Sequence, residues 1–132
     1  LGARHSRRLV GVKPMTGPET KSGVIFGDEI GVSPSLSPNH PSVSVPYGAL
    51  LPLHTENMLV AGRHISTDAQ THTFMREIPQ CWLTGHAAGA AAALSVQAGT
   101  GPRDLSVDDL QKALRKQGAV VRTQDEAETA LR

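Results

Sequence analysis

The chain has 132 residues, enough for one ordinary domain, but two Phe, one Tyr and one Trp leave little large apolar surface, and much of its 39% hydrophobic fraction is alanine. Alanine buries little area, so with 13 Gly and 9 Pro the composition is that expected for part of a larger body rather than a self-sufficient domain. A net charge of +1, a single cysteine (Cys81) and no long apolar run exclude a general nucleic-acid footprint, an internal disulfide framework and a membrane span, and point to a cytoplasmic protein without a signal peptide.

The chain opens at Leu1 inside a strand-like stretch, which suggests a processed product, a non-standard start or a piece of a longer polypeptide. The cluster Arg4, His5, Arg7 and Arg8 reads as a solvated or ion-paired strand end, with a polyanion contact as the sharper alternative. Residues 6–12 (SRRLVGV) predict a strand, and Pro14, Gly17 and Pro18 make 13–22 a loop. Val24 to Phe26 predict a short strand ended by the turn pair Gly27-Asp28. Pro34, Pro38, Pro41 and Pro46 among serines make 31–46 an extended connection, in which Val43 to Val45 can add an edge strand. Tyr47 to Leu53 is an apolar approach broken by Pro52.

The organising stretch follows, from Asn57 to Gly99. Residues 57–62 (NMLVAG) have no polar face in Met58 to Ala61 and predict a strand buried in a parallel sheet, stopped by Gly62. Residues 63–78 form a polar loop, with one helical turn near 72–76. Pro79 suits the first position of a helix over 79–98, about 30 Å long, which Gly99 ends in the left-handed conformation. Its faces are apolar or small almost all round, the mark of a buried helix, and Gly85 and Gly89 would let another backbone approach. After Gly101-Pro102, Ser106 caps an amphipathic helix over 106–117 with Val107, Leu110 and Leu114 as its stripe, Gly118 closes it, and 119–132 is a charged tail.

Three chemistries can be weighed on residues alone. Six histidines (5, 40, 54, 64, 72 and 86) are scattered without the paired spacing of a zinc site, so no metal is expected. Cys81, in the first turn of the long helix, is either a thiol with a lowered pKa or a small buried hydrophobe beside Trp82. GHAAG is not GxGxxG and no Walker motif occurs, so any dinucleotide fingerprint lies on other residues. His64, Ser66 and Asp68 either satisfy backbone groups in a buried polar turn or face a ligand. His72 and Arg76, spaced i,i+4, are either a surface helical pair or functional groups. Tyr47 is a weaker candidate for the same cavity.

Four segments occur in one order: LGARHSRRLVG, VPYGALLP, NMLVAGRHIS, and Arg76 with IPQCWLTGHAAGAAAALSVQAG. Together they resemble the C-terminal part of an FAD-dependent oxidoreductase family. The resemblance implies an α/β chain forming the C-terminal portion of a two-domain, Rossmann-like (glutathione-reductase-like) flavoprotein. This portion would contribute a last parallel strand, a long buried Ala-rich helix and edge strands of the substrate domain. It divides the chain into substrate-domain strands and a Pro/Ser-rich connection (1–53), the end of the FAD-binding domain (54–118) and the tail (119–132).

The resemblance further implies FAD as cofactor, with Ala61, Gly62 and Arg63 at the ribityl and pyrophosphate region. Ile78, Pro79, Gln80, Cys81 and Gly85 would lie on the helix whose start faces the flavin's pyrimidine edge, where free N–H groups favour negative charge. His72 would act as acid/base, Arg76 would orient an anion or oxygen, and His64 is the other catalytic candidate. His86, His5 and Ala69 stand where family members often carry Gln, Glu and His. The expected function is hydride transfer between a small organic substrate and FAD, completed by a larger chain carrying the N-terminal fingerprint, with no nucleic-acid or membrane partner. The alternative is a non-catalytic remnant or interaction module that keeps the scaffold without flavin.

Overall fold

The computed structural model describes residues 7–34, 41–123, 125–126 and 129. Arg4, His5, Pro38 and His40 lie outside the described residues. Among the described residues the fold is α/β, with helices α1 (Gly17–Ser22), α2 (Ala69–Met75), α3 (Ile78–Ala98) and α4 (Val107–Lys116) and strands β1 (Glu29–Ser33) and β2 (Val43–Pro46). Short 3-10 turns occupy Tyr47–Ala49, Gly62–His64 and Pro102–Asp104.

The stretch read as loop at 13–22 contains α1. The Glu19 carboxylate accepts from the Thr16 amide (3.2 Å) and hydroxyl (2.7 Å) and from the Lys13 ammonium (2.6 Å). Thr16-x-x-Glu19 is a capping box, and Pro18 falls in the first turn, where no N–H is needed. The strand expected at 24–26 is displaced: Val24 to Phe26 is unpaired, and the chain pairs only after the Gly27-Asp28 turn, as β1 against β2 antiparallel. Val43 to Val45 is the edge strand the alternation suggested, lengthened by Pro46. Residues 7–12 form no strand; they run beside 51–53 with an isolated bridge, Gly11 to Pro52, and Leu9 donates its amide to the His64 carbonyl (2.8 Å).

The largest correction concerns 57–62. No strand forms there: Met58 is 48% exposed, and Val60 donates one amide bond to the Leu50 carbonyl (2.9 Å). A fully apolar strand needs parallel neighbours and cover on both faces, and among the described residues the only sheet is the two-stranded antiparallel β1-β2.

α3 starts one residue early, at Ile78, so Pro79 is its second residue, and Gly99 (φ 67°) stops it as expected. It is not buried all round. Gln80, Thr84, Ala87, Ala91 and Ser95 form one buried stripe, whereas Trp82 is 73% and Val96 82% exposed. Gly85 and Gly89 face open space. α4 matches its pattern: the Ser106 hydroxyl accepts from the Asp109 amide (3.3 Å), Leu110 and Leu114 are buried, and Gly118 (φ 87°) follows.

One core joins these elements, built on Met15, Ile30, Leu50, Ile65, Met75 and Leu110. A buried ion pair closes it. Glu29 is 1% exposed, and its carboxylate accepts from the Arg122 amide (2.8 Å) and from Nε and an Nη of the Arg122 guanidinium. That pair, with the amide of Val32 bonded to the Val120 carbonyl (3.0 Å), straps residues 120–122 along β1.

Candidate functional site

The apolar segment ends in extended backbone at Ala61 and turns at Gly62, whose φ of 74° is in the left-handed region that favours glycine. The Gly62–His64 turn is set against the first turns of α3. Gly62 donates its amide to the Thr84 hydroxyl (2.9 Å), and a Cβ at Gly62 would lie 3.9 Å from the Cys81 sulfur. The Arg63 amide bonds that sulfur as well. The side chains of Arg63 and His64 are exposed.

His72 is on α2 and 2% exposed, so it is not half of a solvated surface pair. Its Nε2–H donates to the Arg63 carbonyl (3.0 Å). A carbonyl can only accept, which fixes the proton on that nitrogen. Arg76 ends α2, part-buried, with one Nη 3.5 Å from Glu77 and its Nε buried without a partner. The Arg76 carbonyl accepts from the Cys81 thiol (3.5 Å). The Cys81 thiol thus links the backbones of Arg63 and Arg76 at the start of α3.

Burial pushes the Cys81 thiol above its ordinary range, and Glu77 adds to this, against the lowering effect of the Arg63 amide. The helix start therefore does not bring this thiol below its ordinary value. Asp68 and Ser66 satisfy backbone groups: Asp68 caps α2 by accepting from Thr71 (2.7 Å) and accepts from Gly17 (2.7 Å), and the Ser66 hydroxyl accepts from the Gly11 amide (3.0 Å). Burial alone would raise Asp68; the amides of Gly17, Thr71 and Gln70 outweigh it and hold the carboxyl below its ordinary value. Tyr47 is buried, donates its hydroxyl to the Pro102 carbonyl (2.8 Å), and is pushed up to about 12 by desolvation.

On α3, Ile78 and Pro79 are exposed and Cys81 is half-buried. Gln80 points inward, its amide nitrogen donating to the Ser33 hydroxyl (3.0 Å) and its Oε1 buried without a partner. Gly85 lies a turn further on with nothing near it. Grooves of about 480 and 300 Å³ lie elsewhere, one along α4 and one between β1 and Trp82, and none of the candidate residues lines them. Among the described residues no three His, Cys, Asp or Glu side chains are placed to hold a metal ion, and no helix is long and apolar enough to cross a membrane.

Two groups escaped the sequence reading. Thr84 shares its buried stripe with Gln80, two alanines and Ser95, and its spacing of four from Gln80 was the available signal. The Glu29–Arg122 pair is 93 residues apart and left no local signal.

The family of FAD dependent oxidoreductases matches residues 1–114. The chain belongs to that family. No curated protein and no solved structure matches it. For an FAD-dependent oxidoreductase the turn is suitable ground: a left-handed glycine allows close backbone approach, exposed Arg63 offers a cation, and the first amides of α3 lack intrahelical partners. The chemistry of these donors fits an anionic dinucleotide.

Proposed function

We propose that this chain completes the flavin site and part of the substrate pocket of an FAD-dependent oxidoreductase, with a larger chain supplying the GxGxxG portion. The observation that carries the proposal is the docking of the Gly62–His64 turn on the first turns of α3, inside the span that matches the family. When bound, FAD supplies the two-electron acceptor for a hydride from a small organic substrate.

The residues of this chain divide the remaining work. Gly62 admits the cofactor backbone contact, with Ala61 leading into it, and Arg63 faces the cofactor's anionic part. Ile78 and Gln80 present amides at the positive end of α3, between which Pro79 has none to offer. Exposed His64 takes the substrate proton, and Arg76, whose Nε has no partner, orients an anion or oxygen. Enclosed His72 supports the site by holding the Arg63 carbonyl. Gly85 and the exposed face of α3 receive the larger chain.

The test is the visible absorption spectrum of the protein purified from its native source. A flavin spectrum with a larger polypeptide co-purifying is the expected result. A colourless preparation that takes up no added FAD refutes the proposal.

A further inference from the structure

The backbone of the Gly62–His64 turn is held from several sides. The Gly62 amide goes to the Thr84 hydroxyl (2.9 Å), the Gly62 carbonyl accepts from Ile65 (3.3 Å), and the Arg63 carbonyl accepts from His72 (3.0 Å). The His64 carbonyl accepts from Leu9 (2.8 Å). Of these anchors, Thr84 alone is a side chain of α3 that accepts from the glycine. It is 0% exposed, so no water competes for its hydroxyl.

The direction of that hydroxyl is set by the helix. A threonine has one proton to give, and Thr84 donates it to the Gln80 carbonyl (2.9 Å), with Cys81 O the nearest alternative (3.2 Å). With its proton so committed, the hydroxyl oxygen accepts from the Gly62 amide. Without it the Gly62 amide would lose the protein acceptor it has in this part-buried turn. Valine has the same shape as threonine and would fill this fully buried position equally well, so the hydroxyl is the informative feature.

We infer that Thr84 is a positioning residue: its hydroxyl locks the Gly62 turn to α3, so that the two parts of the flavin contact move as one rigid piece. The statement about flavin rests on the proposed function; the lock itself does not.

Two variants separate the hydrogen bond from packing. Thr84→Val keeps the methyl and loses the oxygen, and Thr84→Ser keeps the oxygen and loses the methyl. The readouts are hydrogen exchange at the Gly62 amide in the full chain and the dissociation constant for FAD in the reconstituted assembly. Thr84→Val is expected to speed Gly62 exchange and weaken FAD binding, each by roughly tenfold or more, the effect of leaving a donor unsatisfied. Thr84→Ser is expected to match the unsubstituted protein in both. Wild-type exchange at Gly62 in Thr84→Val overturns the inference, and so does an equal loss in both variants, which would mean that the methyl matters. Should Thr84→Val not fold, the serine variant decides: retained protection of Gly62 supports the lock and lost protection overturns it. An unsubstituted assembly that binds no FAD would refute the proposed function, while the exchange measurements would still decide the role of Thr84.

Discussion

Substitution of Gly62 separates backbone strain from cofactor contact, because the two effects rank the same variants differently. At φ 74° an L-residue costs roughly 1–2 kcal/mol. The Cβ of an alanine would sit 3.9 Å from the Cys81 sulfur, an ordinary contact that adds no clash. Gly62→Ala should therefore lose about 1–2 kcal/mol of stability through conformation alone. Gly62→Asn should lose less, since asparagine tolerates the left-handed region. Gly62→Val should lose most, its branched Cβ being disfavoured there and one γ-carbon being driven toward the sulfur. Stability should fall in the order Asn, Ala, Val.

Flavin retention should follow a different order. If the cofactor meets the backbone at Gly62, side-chain size decides, so alanine should retain more flavin than asparagine, and valine should retain almost none. Denaturant unfolding of the apo assembly gives the first order, and flavin-to-protein absorbance of the reconstituted assembly gives the second. Flavin loss that tracks stability, with asparagine least affected, would assign the effect to strain. Full flavin occupancy in Gly62→Val would show that Gly62 is not at the cofactor.

Arg122→Ala leaves the buried Glu29 carboxylate without its guanidinium and should cost about 3–5 kcal/mol, read from the unfolding midpoint; a loss below about 1 kcal/mol would show that the pair behaves as a surface one. Tyr47, raised from 10.0 to about 12, keeps its proton when folded and loses it when unfolded between those values. Its contribution is therefore complete below pH 10 and falls by roughly 2–3 kcal/mol as pH rises to 12, a slope that Tyr47→Phe should flatten. His64→Ala should slow anaerobic flavin reduction by substrate about 10²–10⁴-fold with flavin content unchanged; normal reduction would move the acid/base role off His64. Trp82, the single tryptophan and 73% exposed, should emit as a water-exposed indole in the isolated chain and shift to the blue when the fingerprint-bearing polypeptide binds, and an unchanged spectrum would place that polypeptide elsewhere.

Local rules made some elements legible and left others hidden. Gly99 and Gly118 end α3 and α4 at positive φ, and Ser106 caps α4, because these effects depend on a few adjacent residues. α1 was readable by the same kind of rule, Thr16-x-x-Glu19, but Pro14, Gly17 and Pro18 outweighed it. β1 was missed because Glu29 and Gly31 interrupt its apolar pattern. Glu29 is buried with its carboxylate on Arg122, and Gly31 is where β1 meets α3, since a Cβ there would lie 2.7 Å from Leu83 carbons and that side chain would have to shift. In the candidate site, the glycine stop and the small helix were visible as pattern. What could not be read was the enclosure of His72, because α2 and the Gly62–His64 turn meet in space through one nitrogen and one carbonyl.

The two misjudged apolar elements have a common physical cause. Hydrophobic pattern records the cover an element is built for, and structure records the cover it has. Residues 57–61 and the outer face of α3 are both more exposed than their composition anticipates. On α3 that face runs through Ile78, Trp82, Gly85, Gly89, Ala92 and Val96, all exposed at alternating spacings of four and three, the repeat of one continuous side of a helix. The opposite stripe, from Gln80 through Thr84 to Ser95, is packed on this chain's own core and anchors the Gly62 turn. α3 therefore has two working sides: one joined through Thr84 to the turn, the other open to a partner. On the proposed reading, a polypeptide docking on the open side meets a helix whose first turn is already fixed to the flavin-facing glycine. Assembly and cofactor capture would then be coupled through one rigid element.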